Sequence, residues 1–156
     1  ATLTAIGAAI SAIMSGIGSA KGVGLAGEAA TGVLVENPSN FGKTLLLQAL
    51  PGTQGIYGLL IAFVATTKAG LLSGDAAVMS AVTPGKGMII LVACLVMGIV
   101  GYLSAIHQGR VSSAAMNIVS KRPEEATKGM IYAGLVETYA VLALLISFLM
   151  INGVKL

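Results

Sequence analysis

Four apolar stretches dominate this chain of 156 residues, and each exceeds the roughly 18–20 residues that a helix needs to cross a bilayer. They run from about Thr2 to Val35, Phe41 to Thr67, Gly87 to Val119 and Glu124 to Ile151. Lipid offers no partner for a backbone N–H or C=O, so only helices and closed barrels can span it. None of the four runs alternates apolar and polar residues with period two, as a barrel strand must. The reading is an all-α membrane protein with four transmembrane helices. Glu36-Asn37-Pro38-Ser39-Asn40 and Ser120-Lys121-Arg122-Pro123 break the pattern as tight turns. Lys68 to Lys86, with Gly70, Ser73-Gly74-Asp75 and Pro84-Gly85, reads as a loop.

Composition agrees with a membrane class. Only 10% of residues are charged, against about 25% in a soluble domain. The net charge of +3 comes from nine Lys and Arg that form no run, and Trp is absent. A nucleic-acid partner is therefore not expected, because neither a basic stripe nor a stacking platform is present. Cys94 is the lone cysteine and sits in an apolar stretch, so it reads as a small hydrophobe.

A shift of 85 residues lays Gly18–Phe63 on Leu103–Phe148 without a gap. Identical pairs include Ser19 with Ser104, Ala20 with Ala105, Gly24 with Gly109, Pro38 with Pro123, Leu50 with Leu135 and Thr53 with Thr138. The chain is thus one transmembrane domain over 1–156, made of two tandem copies of a helical hairpin at about 1–67 and 87–152. Each copy crosses twice, so both have the same orientation, unlike the inverted repeats of many transporters.

The first helix carries Gly7, Gly16, Gly18, Gly22, Gly24 and Gly27. Small residues let helices approach closely in lipid, either within the chain or around the inside of a ring of copies. About 34 residues at 1.5 Å each give roughly 51 Å, more than a ~30 Å hydrocarbon core. One end should project, carrying Lys21 or Glu28 towards water or the interior of an assembly.

Glu137 lies near the middle of the fourth stretch, far in sequence from any other charge. A charge at bilayer centre costs about 2.5–3.5 kcal/mol on insertion scales, so such a residue is functional by default. Counting from the hairpin turns locates its neighbours. Glu137 lies about 15 residues past its turn, Gln108 about 14 before it, and Thr53 and Gln54 about 16 past the first turn. At 1.5 Å per residue all four sit roughly 20–25 Å below the turns. Leu50, Thr53, Gln54 and Tyr57 share one helix face, and Pro51 disturbs the backbone beside it, freeing or bending nearby carbonyls.

A hydroxyl, two amides and a phenol around one buried carboxylate suit a hard monovalent cation. Proton carriage needs only a carboxyl, and extra polar groups in lipid cost stability when unsatisfied. The site therefore favours Na⁺ over H⁺, with Tyr57 orienting the carboxylate. Glu137 aligns with Gly52 under the 85-residue shift, so one protomer should carry one ion.

Other motifs carry less. Gly22-Val23-Gly24-Leu25-Ala26-Gly27 matches a dinucleotide fingerprint, and Gly42-Lys43-Thr44 the tail of a phosphate loop, but no strand precedes either. His107 neighbours Gln108 in sequence and is expected to face another helix. Lys21, Glu28 and Arg110 read as snorkelling or interior-facing. Lys and Arg at the two hairpin turns weakly favour a cytoplasmic placement of that side.

Gly16-Ile17-Gly18-Ser19-Ala20-Lys21-Gly22, Leu50-Pro51-Gly52-Thr53-Gln54-Gly55-Ile56-Tyr57-Gly58, Gln108-Gly109 and Val136-Glu137-Thr138-Tyr139-Ala140 together resemble the proteolipid, or c-ring, subunits of bacterial sodium-transporting V-type ATPases. The resemblance covers essentially the whole chain. It implies a ring of identical subunits in the plasma membrane, turning against a membrane stator that bears an arginine and coupled to a central stalk. ATP hydrolysis is then expected on other subunits, so this chain is not itself an enzyme. Carried over, the Na⁺ ligands are the Leu50 carbonyl, the side chains of Thr53, Gln54 and Gln108, and the Glu137 carboxylate, with Tyr57 bonding the carboxylate. His107 and Arg110 depart from the residues expected there without removing a ligand. Two rivals stand beside this reading: an H⁺-carrying rotor subunit and a small ion or drug exchanger using the intramembrane glutamate.

Overall fold

A computed structural model describes residues 1–156. Six helices follow in order: α1 (Thr2–Glu36), α2 (Phe41–Ala49), α3 (Thr53–Lys68), α4 (Ala76–Ala81), α5 (Pro84–Lys121) and α6 (Ala126–Gly153). Short 3₁₀ turns at Pro38–Asn40 and Pro123–Glu125 lead into α2 and α6, and a third at Leu50–Gly52 joins α2 to α3. Taken through these turns, four helical units are long and apolar enough to cross a membrane: 2–36, 38–68, 84–121 and 123–153. The chain is a multi-pass, all-helical membrane protein built of two duplicated hairpins.

Local chemistry sets the helix ends. Asn37 closes α1 in an extended conformation, and its side chain accepts the Ser39 N–H at 3.1 Å. Thr83 caps α5, whose first residue is Pro84, where the missing N–H leaves nothing unpaired. The expected loop over Lys68–Lys86 is not wholly irregular. Asp75 Oδ1 accepts the N–H groups of Ala77 and Val78 at 2.9 and 3.2 Å and starts the short α4. That helix is too brief for an apolar period to announce it, and only its cap is visible in sequence.

Helices α1 and α5 form the spine, packed side by side and parallel. Gly7 meets Leu91 and Cys94, Gly98 meets Ser11, Gly18 meets Tyr102, and Gly22 meets Ala105 and Gly109. Partners in these contacts differ in number by 83–87, close to the repeat shift, so equivalent residues of the two copies lie at equal height. A Cβ on Gly18 would sit 2.6 Å from Tyr102 Cα. Gly18 and Gly22 therefore serve close packing within the chain, and the alternative of a ring-lining role for that pair falls away. Gly16 and Gly24, with no atom within 4 Å of an added Cβ, lie on the open side of α1.

The outer helices α3 and α6 lean on this spine. Two apolar clusters result: one includes Ala8, Ile61, Ile90, Met97 and Ile151, the other Ala26, Leu47, Val119 and Ala133 near the hairpin turns. Between them runs a layer of buried polar side chains that includes Gln54 and Gln108, both fully buried.

Candidate ion-binding site

The polar layer forms where Pro51 interrupts the second crossing. Proline has no N–H to give the preceding turn, and the chain tightens to a 3₁₀ turn over Leu50–Gly52 before α3 resumes. The Leu50 carbonyl now accepts the Thr53 hydroxyl at 3.0 Å, and Thr53 Oγ1 also lies 3.3 Å from Gln54 Oε1. The other end of that amide, Gln54 Nε2, donates to Gln108 Oε1 of α5 at 2.6 Å. Gln108 Nε2 donates to the Ala133 carbonyl of α6 at 3.0 Å and to Glu137 Oε2 at 3.4 Å. Tyr57 Oη donates to Glu137 Oε1 at 2.6 Å. Gln54, Gln108, Glu137 and Tyr57 are thus joined by one continuous hydrogen-bond chain across three helices, with the Thr53 hydroxyl, bonded to the Leu50 carbonyl, against its Gln54 end.

Two details differ from the expectation. Glu137 is half-buried rather than enclosed. A separate apolar groove of about 350 Å³ lies further along α3 and α6, lined by Leu60, Val141, Leu144, Leu145 and Phe148. Gln108 turns its amide N–H, not its oxygen, to the carboxylate. An amide oxygen has two lone pairs, so Gln108 Oε1 keeps one after accepting from Gln54. Gln54 Oε1 and Thr53 Oγ1 likewise retain acceptor capacity.

The site's charge is uncompensated within the chain. The single salt bridge joins Lys128 to Glu125 at 3.0 Å, well away from Glu137. Two donors orient the carboxylate without cancelling its charge. No group of three or more His, Cys, Asp or Glu gathers anywhere, so a divalent ion here would keep an excess positive charge in lipid. A monovalent cation leaves none.

Other sequence candidates lie elsewhere. His107 is exposed, because one step along a helix turns a side chain by about 100° from the face Gln108 occupies. Lys21, Glu28 and Arg110 line a separate concavity of about 490 Å³ on the α1/α5 side, where Lys21 Nζ donates to Tyr102 Oη at 3.4 Å. The Gly22–Gly27 and Gly42–Thr44 motifs lie inside α1 and α2, away from any strand.

Two further residues join the site, Ser19 and Ser104, whose residue type alone does not mark them. Ser19 Oγ of α1 accepts the Gly55 N–H at 2.7 Å, just beyond the 3₁₀ turn. Ser104 Oγ of α5 accepts from Gln54 Nε2 at 3.2 Å and donates to the Val136 carbonyl at 3.2 Å. The signal for both was present: Ser19 and Ser104 are an identical pair in the repeat.

A carboxylate hydrogen-bonded to polar side chains from three helices, inside a duplicated membrane-spanning helical bundle, defines a multi-pass membrane protein with a polar site within its crossings. The chain belongs to the ATP synthase C-subunit family, whose model matches residues 6–65 and again 91–150, once for each hairpin. It is 47% identical over 143 residues to the V-type sodium ATPase subunit K of Enterococcus hirae, covering 92% of this chain and 86% of that protein. It is also 36% identical over 152 residues to the A-type ATP synthase subunit K of Methanocaldococcus jannaschii, covering 97% of this chain and 63% of the relative.

Proposed function

We propose that the chain is a rotor-ring subunit of a bacterial rotary V-type ATPase that carries one Na⁺ per protomer across the plasma membrane at Glu137. ATP hydrolysis on other subunits of the complex drives the ring, and this chain contributes the moving ion site. The observation that carries the reading is an anion at mid-helix depth with no cationic side chain in reach, chained to Thr53, Gln54 and Gln108. The sodium in the name of the Enterococcus hirae relative points the same way.

In this reading the ligands are the Leu50 carbonyl, Thr53 Oγ1, Gln54 Oε1, Gln108 Oε1 and the Glu137 carboxylate. Tyr57 holds the carboxylate in place. With Na⁺ bound the site is neutral and passes lipid at low cost; emptied, it retains an anion that needs a cationic surrounding. A stator arginine supplies that surrounding as each protomer passes, and displaces the ion. The remaining partners are identical copies closing the ring, a central-stalk subunit docked at the hairpin turns, and membrane lipid. The protomer acts as one domain, with hairpins at about 1–67 and 87–152.

Carbodiimide labelling of Glu137 in the purified assembly tests the ion. Protection that grows with Na⁺ at constant pH is expected. Labelling that responds to pH and ignores Na⁺ would assign the site to protons instead.

A further inference from the structure

We propose that Ser104 is a positioning residue for the cation site: its hydroxyl fixes which end of the Gln54 amide faces the ion. The proposal rests on the Na⁺ reading above and adds to it a residue outside the ligand set.

A glutamine amide is nearly symmetric in shape but not in charge. Its oxygen attracts a cation and its NH₂ repels one, so a ligating glutamine must be held against a half-turn of its amide. At Gln54 the NH₂ end meets two acceptors, Ser104 Oγ at 3.2 Å and Gln108 Oε1 at 2.6 Å. The oxygen end then falls towards Thr53 Oγ1, 3.3 Å away, on the side of the Leu50 carbonyl. Reversal would press Gln54 Oε1 against Gln108 Oε1. Gln108 cannot turn to relieve the clash, because its own NH₂ is held by the Ala133 carbonyl and Glu137.

Ser104 can accept from Gln54 because its proton is committed elsewhere, to the Val136 carbonyl at 3.2 Å. Serines within helices commonly turn back on the carbonyl four residues earlier. Ser104 instead bridges α3 and α6 from α5, and it is only 7% exposed. It ties the amide of one ligand to the backbone next to another, Glu137. The repeat sharpens the point: Ser19, its counterpart on α1, steadies the same α3 segment by accepting the Gly55 N–H.

The test is the Na⁺ concentration giving half-protection of Glu137 from carbodiimide in assembled protein. Ser104→Ala should raise it about fivefold to tenfold, the scale of one lost buried hydrogen bond, and Ser104→Thr should restore most of the affinity. In a Gln54→Ala background, where no amide needs orienting, adding Ser104→Ala should change the value less than twofold. A purely structural serine would cost the same in both backgrounds, and that result overturns the proposal, as does unchanged half-protection in Ser104→Ala. If Ser104→Ala does not assemble, Ser104→Cys, close in size but a weak acceptor, carries the same expectations. Wild-type protein unprotected by Na⁺ would overturn this proposal together with the Na⁺ reading; protected wild type with a silent serine overturns this one alone.

Discussion

Gly18→Ala should loosen the spine of the molecule by a calculable amount. The added Cβ would lie 2.6 Å from Tyr102 Cα, 2.7 Å from its carbonyl oxygen and 3.0 Å from its carbonyl carbon. Ordinary contact begins at 3.4 Å. All three atoms are backbone, so no side chain can swing aside, and α1 and α5 must part by about 0.8 Å at this level. A gap of 0.5–1 Å forfeits roughly a quarter to a half of the dispersion energy of each contact it opens, and overpacked interiors lose about 1–3 kcal/mol. Alanine recovers up to about 1 kcal/mol through its better helix propensity. With mid-range values the net loss is about 1–1.5 kcal/mol, or roughly 2–6 °C in melting temperature for a chain of this size. Cys94 supplies the readout: it is the chain's one cysteine, fully buried, and it packs against Gly7 on the same α1/α5 contact. A thiol-reactive fluorophore in a detergent melt labels it only as that contact opens. Gly18→Ala melting at or above wild type would show that the close approach of α1 to α5 is not what this glycine provides.

Tyr57→Phe removes the 2.6 Å donor to Glu137 Oε1; a charge-assisted bond at a half-exposed carboxylate is worth about 1 kcal/mol. Half-protection should then need about fivefold more Na⁺, and an unchanged titration would deny Tyr57 its orienting role. Ser112 is fully buried with no hydrogen-bond partner, a condition that costs about 1–3 kcal/mol for a hydroxyl. Ser112→Ala should melt at or a few degrees above wild type in the Cys94 assay, and a clear drop would mean the hydroxyl has a partner after all.

Much of this arrangement is legible in the residues alone, for physical reasons that hold in lipid. A bilayer forbids unpaired backbone, so long apolar runs had to be helices. Fixed helical rise then turned residue counts from two hairpin turns into a common depth for Thr53, Gln54, Gln108 and Glu137, and the hydrogen bonds join those four at one level. What escaped depended on direction rather than depth. Counting could not say which end of Gln108 meets Glu137, nor that the carboxylate is only half-buried. Small polar residues in a Gly- and Ala-rich helix look like packing material, which hid Ser19 and Ser104 despite their match in the repeat. The face of Gly18 and Gly22 was likewise ambiguous, because small residues serve contacts within and between chains equally well.

Gly52, where the first hairpin has no acid, has a mechanical consequence on the proposed reading. Each protomer contributes four membrane crossings but a single carboxylate at the depth of the site. A wheel of these units moves half as many ions per revolution as one of the same girth with an acid in every hairpin. Each ion moved against 100 mV costs about 2.3 kcal/mol, so the same torque from a given number of nucleotides can work against twice the opposing voltage. The glycine sets a low gear, suited to building a steep gradient rather than a large current.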